Sequence, residues 1–156
     1  MKHMWRKLGR IMYWVVWPGS WVYLRGSTRT RLLLLCGDEL LLVENWLGNG
    51  QWNLPGGGLH KHEDPQTGLI REVFEETGIT LDNNKLRQLG AEPFKHHGFS
   101  YTCYYFMAEL ERKPAVKHQR LEIVDSTWAA RTDITSQQHS PDVIRALQLL
   151  DSTGRI

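Results

Sequence analysis

The spacing of hydrophobic residues changes from continuous runs to helical periodicity along this chain. Two mainly apolar runs, Thr30–Cys36 and Glu39–Glu44, are separated by Gly37 and Asp38. Continuous leucine-rich runs are typical of strands buried on both faces, and a Gly-Asp pair favours a tight turn. The sequence therefore predicts a hairpin of two buried strands.

Shorter extended segments follow the hairpin. Each is apolar or aromatic and lies between turn residues, which is the usual signal of a strand. The predicted segments are Gln51–Leu54, Leu86–Gly90, Tyr101–Leu110, Leu121–Val124 and Thr127–Ala130.

Helical periodicity occurs in two places. Asp64 and Pro65 form a typical helix start and Gly78 a typical stop, which predicts a helix from about Pro65 to Thr77. Its predicted sheet-facing side consists of Ile70, Val73 and Phe74. A second helix starts at Ser140 with a buried stripe of Val143, Ile144, Leu147 and Leu150. The predicted architecture is an α/β fold, with a mixed sheet between these two helices.

Three glutamates share the other side of the first predicted helix, within a sector of about 100°. They are Glu72, Glu75 and Glu76. Carboxylates about 5–6 Å apart on adjacent turns repel each other, and a divalent cation removes the repulsion. Mg²⁺ prefers oxygen ligands and bridges to phosphates, so the prediction is a Mg²⁺ site, with Mn²⁺ as the alternative ion. No Cys/His set with zinc spacing is present.

The segment from Gly57 to Ile79 reads GGLHKHEDPQTGLIREVFEETGI. It resembles the signature of the Nudix hydrolase family at every position that this signature fixes. The fixed positions are Gly57, Glu63, the Arg71-Glu72 pair, two aliphatic positions, the Glu75-Glu76 pair and Gly78. The resemblance implies an α/β/α sandwich and metal-dependent cleavage of a diphosphate linkage in a nucleoside diphosphate attached to another group.

The resemblance also implies residue roles. The metal shell would consist of the Gly57 carbonyl with Glu72, Glu75 and Glu76. Arg71 would hold the glutamates by charge-assisted hydrogen bonds, while Gly56, Gly58 and Glu63 support the loop. The base that takes a proton from the attacking water would be Glu72 or Glu75 in the helix, or Glu122 after the polar loop Lys113–Gln119.

Two positions depart from the family pattern. His62 occupies a position where many relatives have Gly, which puts the shape of the loop in question. Glu44 lies where many relatives have a basic residue, so a phosphate contact is missing or comes from Arg29 or Arg31. Candidates for stacking on a base are Trp46, Phe94 and Tyr101.

The first 27 residues form a predicted extension, and residues 28–156 form the predicted catalytic domain. The net charge is +2, yet residues 1–37 contain seven Lys/Arg and no acid, and Trp and Tyr are concentrated between Tyr13 and Tyr23. This segment lacks the length of a bilayer span and the cleavage site of a signal peptide. Three interpretations of this segment stay open: it packs on the catalytic domain, it mediates a homodimer, or it contacts an anionic membrane.

Cys36 and Cys103 lie in apolar runs, which favours free thiols in a reducing compartment. We therefore expect a cytoplasmic protein, with the inner membrane face as the peripheral alternative.

The expected substrate is a small nucleotide: a nucleoside triphosphate, oxidised or not, or a nucleotide sugar such as ADP-ribose. Removal of diphosphate from RNA 5′ ends is an alternative, but residues 38–156 hold 12 bases against 17 acids, and we expect no DNA partner. A non-catalytic nucleotide-binding module is the third hypothesis, and the retention of every motif acid argues against it.

Overall fold

The computed structural model describes residues 7, 8, 12, 27–96, 99–118 and 122–153, with the backbone alone at 94–96 and 99–100. In the N-terminal extension, Lys7, Leu8 and Met12 are described, each in helical conformation. The predictions on how residues 1–26 pack therefore lie outside the described residues. In the described part of the chain, no helix has the length and apolar content needed to cross a bilayer.

One mixed sheet of six strands forms the centre of the described chain. The strands are β1 (Thr28–Cys36), β2 (Glu39–Asn45), β3 (Trp52–Asn53), β4 (Arg87–His96), β5 (Phe99–Glu109) and β6 (Ile123–Ala130). Their order is β3-β2-β1-β5-β4, and β6 pairs with β2. The β1–β5 pairing is parallel and the others are antiparallel. The predicted hairpin is confirmed, since Cys36 pairs with Glu39 across the Gly-Asp turn.

Two strands differ from the sequence prediction. β4 extends past Gly90 to His96 and includes Pro93. It lies at the end of the strand order and pairs with β5, and a proline is tolerated at such an edge because its missing N–H faces no neighbour. The two extended segments predicted near residues 121–130 form the single strand β6.

Both predicted helices are present, α1 (Pro65–Thr77) and α2 (Pro141–Ser152), with 3₁₀ turns at Asn83–Lys85 and Arg131–Asp133. The Asp64 carboxylate accepts a hydrogen bond from the Thr67 amide at 2.9 Å, which caps α1. Gly78 ends α1 in the left-handed conformation, with φ of 70°.

Alternate residues of the strands face opposite helices, so the core has two layers. Leu32, Leu34 and Leu41 pack with Leu69 and Val73 of α1. On the other face, Leu33, Leu35, Leu40 and Leu42 pack with Val143, Ala146 and Leu150 of α2. This arrangement is the predicted α/β/α sandwich, and it explains why the leucine runs show no polar alternation.

The buried side of α1 differs from the predicted one at Phe74, whereas Val73 is buried as predicted and Ile70 is partly buried against the same core. Leu69 and Val73 are buried, together with Glu76 and Thr77 near the helix end, whereas Phe74 is 56% exposed. The apolar periodicity placed Phe74 towards the sheet. The helix is instead rotated so that Glu76 faces the interior, where it binds the loop backbone.

The segment from Pro55 to Leu59 runs beside the first half of β1. The Thr30 amide donates to the Gly57 carbonyl, and the Leu32 amide donates to the Pro55 carbonyl, both at 2.9 Å. The Leu59 amide donates to the Thr28 carbonyl at 2.9 Å. This pairing fixes the glycine-rich loop on the sheet, directly in front of α1.

Candidate active site

Gly56 is the point where the loop, the sheet and α1 meet. Its φ is +127°, and a Cβ at this position would overlap the Thr30 carbonyl, so a side chain cannot be accommodated. The Gly56 amide donates to Glu76 Oε2 at 2.8 Å, and its carbonyl accepts a hydrogen bond from Arg31. Both backbone polar groups of Gly56 are therefore held by side chains from other elements.

Gly57 provides the surface on which Glu72 lies. A Cβ added to Gly57 would occupy the space of the Glu72 carboxylate, which shows how closely this side chain approaches the loop backbone. The glycines thus bring Glu72 and Glu76 of the predicted site to one segment of backbone. Gly58 supports the same arrangement, because its carbonyl accepts from Arg71 Nη2 at 3.2 Å.

Arg71 links the loop to the glutamates of α1. Its Nε and Nη2 donate to the two carboxylate oxygens of Glu63 at 2.8 and 2.9 Å. Its Nη1 donates to Glu72 at 2.8 Å and to Glu75 at 3.2 Å. The Arg71 guanidinium lowers the pKa of Glu63 to about 2, and the same bonds raise the pKa of Arg71. Glu63, Arg71 and two glutamates therefore form one charge network.

His62, where the sequence departs from the family pattern, lies in a left-handed turn of the loop. This residue has a φ of 64°, in the left-handed region where glycine is favoured and where His occurs less often. The turn brings Glu63 back to accept from the His60 amide at 2.8 Å. His62 therefore adopts a conformation that glycine also favours.

Glu76 is an acid in an unfavourable environment. It is 6% exposed, and burial raises its pKa to about 7. The negative charges of Glu72 and Glu122 raise this pKa further, while the Gly56 amide and Arg31 act against the shift. Glu122, which lies outside the motif, is therefore within electrostatic range of Glu76.

The remaining predicted acid of the motif lies towards solvent. The Glu75 side chain is 45% exposed and contacts Arg71 at its Nη1. Glu72 and Glu122 each interact electrostatically with Glu76, and Glu75 is linked to Glu72 through Arg71.

The oxygen donors at this site fit a hard divalent cation such as Mg²⁺ or Mn²⁺. Glu72, Glu75, Glu76 and the Gly57 carbonyl are all oxygen donors, and the buried Glu76 carboxylate gains most from a neighbouring positive charge. Among the described residues, no three His, Cys, Asp or Glu side chains are already gathered as a ligand set. Arg71 hydrogen-bonds two of the three helix glutamates, Glu72 and Glu75.

Two arginines of β1 differ in their partners. Arg31, a predicted substrate contact, is buried; its Nε donates to Asp142 Oδ2 of α2 at 2.7 Å. Arg29 lies over the Tyr101 ring at 5.7 Å, and burial followed by the charge of Arg31 lowers its pKa. Of these two, Arg31 already has a carboxylate partner, which favours Arg29 as the phosphate contact.

The aromatic candidates are less well defined. Trp46 is half-buried, and its amide donates to the Glu122 carbonyl at 2.8 Å, so it adjoins the backbone of Glu122. Phe94 lies on β4 opposite Tyr101, and its side chain is outside the described part of the structure. Sequence reasoning missed Asp142, because an acid in the first turn of a helix is ordinary and 111 residues separate it from Arg31.

The sequence model of the NUDIX domain matches residues 26–150. A MutT-like protein of Streptomyces ambofaciens is 31% identical over 119 residues, which cover 75% of this chain and 72% of that protein.

Solved structures agree in fold. A MutT NUDIX hydrolase from Burkholderia pseudomallei superposes with a TM-score of 0.71 at 19% identity, covering 81% of this chain and 98% of that one. A bifunctional NMN adenylyltransferase/ADP ribose pyrophosphatase from Francisella tularensis, complexed with AMP and a Mn ion, gives a TM-score of 0.67 at 20% identity. That match covers 92% of this chain but 46% of the Francisella protein. On the signature, the domain match and the fold together, this chain belongs to the Nudix family and is a Nudix pyrophosphohydrolase.

Proposed function

We propose that this chain hydrolyses the diphosphate linkage of a nucleoside diphosphate that carries another group, with Mg²⁺ as the resident ion and Mn²⁺ as a substitute. The observation that carries the proposal is the convergence of Glu72 and Glu76 on the backbone of Gly56 and Gly57. This convergence places two carboxylates beside the buried backbone of the loop, and such oxygen donors suit a divalent ion that bridges to phosphates.

The proposed metal ligands are the carboxylates Glu72, Glu75 and Glu76 with the Gly57 carbonyl. A bound divalent ion at this position supplies charge neutralisation for the phosphates and lowers the pKa of a water molecule. Arg71 orients Glu72 and Glu75 through its Nη1, and Glu63 orients Arg71. Orientation of ligands by such outer partners commonly changes affinity or activity by about 10–100-fold.

The proton of the attacking water goes to a carboxylate, for which Glu72, Glu75 and Glu122 are the candidates. Glu72 lies against Gly57, so it is close to the proposed metal position. Glu122 is exposed and its charge acts on Glu76, which makes it the candidate from outside the motif. Glu75 is half-exposed on α1 and would need to leave Arg71 to act as the base.

Arg29 is the proposed phosphate contact on the substrate. Its guanidinium faces the Tyr101 ring, and among the described residues no carboxylate forms an ion pair with it. A partly buried cation in this position gains from an anionic ligand. Trp46 and Phe94 remain candidates for stacking on the base.

The substrate is proposed as a nucleoside triphosphate, oxidised or not, or a nucleotide sugar such as ADP-ribose. The Francisella neighbour is described as an ADP ribose pyrophosphatase, which supports including ADP-ribose. Its match is at the level of fold and therefore does not rank the two substrate classes.

A panel of nucleotides with and without Mg²⁺ tests the proposal. We expect metal-dependent release of the nucleoside monophosphate, together with pyrophosphate from a triphosphate or a sugar phosphate from a nucleotide sugar. Glu72→Gln, Glu75→Gln and Glu76→Gln should lower kcat by about 10²–10⁴-fold, because each removes a ligand or a base. Arg29→Met should raise KM. The matched control is Glu111→Gln, which removes an exposed charge elsewhere on the surface.

Mn²⁺ binding, measured by electron paramagnetic resonance, distinguishes the metal ligands from the general base. A variant that binds Mn²⁺ normally but turns over slowly has lost the base, whereas loss of both identifies a ligand. Metal-independent turnover, or full activity in Glu75→Gln or Glu76→Gln, would contradict the assignment.

A further inference from the structure

Gly56 is held from both faces of the sheet. On the α1 side its amide donates to Glu76, and on the α2 side its carbonyl accepts from Arg31. The motif predicts neither contact. Arg31 lies 25 residues before Gly56 in the sequence, and Glu76 lies 20 residues after it. The position of the loop backbone therefore depends on a side chain of the opposite layer.

Arg31 is in turn fixed by the start of α2. Its Nε donates to Asp142 Oδ2 at 2.7 Å, and the side chains of the pair are 8% and 5% exposed. The other oxygen of Asp142 accepts a hydrogen bond from the Ser140 hydroxyl. The carboxylate at the first turn of α2 thus has two partners and a defined orientation, which also suits the positive end of the helix dipole.

A buried ion pair of this kind is weak evidence for stability, because desolvation of two charges offsets their attraction. Apolar residues of similar volume often replace such pairs without loss of stability. The pair instead defines a geometry: it fixes the direction in which Arg31 presents its Nη1 to Gly56.

We propose that Arg31 and Asp142 are positioning residues that hold Gly56, and through it Glu76 and the adjacent Gly57 carbonyl, in the geometry that receives the divalent ion. The inference rests on the proposed function of the glutamates. It assigns to α2, which lies on the face of the sheet opposite the motif, an indirect effect on the metal ligands, through Arg31 and Gly56. It also changes the expected role of Arg31 from substrate contact to loop support.

The main test is the double variant Arg31→Met/Asp142→Leu, which removes both charges together and leaves none unpaired. Asp142→Asn, nearly identical in shape, is the second variant in case the first does not fold. The matched control is Glu92→Gln, which breaks another ion pair between α2 and the sheet, from Arg145 to Glu92 at 2.6 Å. All proteins are full length and are compared by circular dichroism first.

Three measurements are made on each folded protein. We expect the Mn²⁺ dissociation constant, measured without substrate, to rise by about 10-fold or more in the positioning variants, and kcat to fall by about 10–100-fold. KM should change little, since the substrate contacts are intact. Amide hydrogen exchange at Gly56 in the metal-free protein should be faster. Glu92→Gln should match the wild type in all three.

Unchanged Gly56 exchange with wild-type Mn²⁺ affinity and kcat in either folded variant would overturn the inference. A rise in KM alone would also overturn it, because that result assigns Arg31 to the substrate. Failure of the proposed function is distinguishable: the wild type itself would then lack metal-dependent hydrolysis, while Gly56 exchange would still report whether Arg31 and Asp142 hold the loop.

Discussion

Single backbone conformations determine the shape of the loop in front of the glutamates. Gly56 has no alternative, because its positive φ and the nearby Thr30 carbonyl leave no room for a side chain. His62 is different: it adopts a φ of 64° with a full side chain, and the residue is exposed. A left-handed conformation costs a residue with a Cβ about 1–2 kcal/mol, and His is among the more tolerant residues.

We expect His62→Gly to raise the free energy of unfolding by up to about 1 kcal/mol, because relief of strain exceeds the added entropy of the unfolded chain. Turnover should be unchanged. Urea unfolding measures the effect, and His60→Gly is the control, since His60 lies in the same loop without positive φ and should only lose stability. A destabilised His62→Gly would mean that the imidazole makes a stabilising contact.

Among the secondary-structure elements, α1 is joined to the loop before it by a helix cap and by side-chain hydrogen bonds. Asp64 caps the helix at its start, and Arg71 binds Glu63 in the loop with two hydrogen bonds. These bonds orient α1 relative to the loop. They also hold the Glu63 carboxylate in its charged form, with a pKa of about 2.

We expect Glu63→Gln to lower the free energy of unfolding at pH 7 by about 1–3 kcal/mol, since a charged hydrogen-bond partner is lost. The folded-state pKa of Glu63 lies below its unfolded value of 4.5. The stabilisation is therefore complete above pH 4.5 and is lost as the pH falls towards 2. Urea unfolding at pH 7 and pH 3 should show the difference between variant and wild type shrinking. A difference independent of pH would contradict the role of this charge.

At the scale of the whole molecule, two helical layers cover one sheet, and the site takes residues from both. Glu72 and Glu76 come from α1, Arg31 from β1 and Asp142 from α2. The described sandwich begins at Ser27, whose carbonyl accepts from the Thr102 amide at 3.1 Å. The catalytic domain is therefore proposed to be residues 28–156, with residues 1–27 as an extension.

We expect a chain that starts at Ser27 to fold and to keep kcat within about threefold of the full-length value, because the strand pairing and the site lie in the retained part. Activity assays and thermal unfolding measure this. Loss of folding would show that the extension belongs to the domain.

The same two proteins test the proposed roles of the extension. Full-length protein should sediment with anionic vesicles if the basic and aromatic residues contact membranes, and the truncated chain should not. A monomeric mass of full-length protein by light scattering would exclude the homodimer. Equal behaviour of both chains with vesicles would exclude the membrane contact.

The sequence by itself determined features whose causes are local. The ends of α1 are set by Asp64 and Pro65 at its start and by Gly78 at its end, because capping acts within one turn. The leucine runs predict β1 and β2, because strands buried on both faces are apolar throughout. The tertiary structure alone decided contacts between distant segments. The exposure of Phe74, the burial of Glu76 and the Arg31–Asp142 pair follow from how α1 and α2 rest on the sheet. Helical periodicity does not encode that placement, because it describes one segment, whereas these contacts depend on strand order and on which backbone groups need a partner.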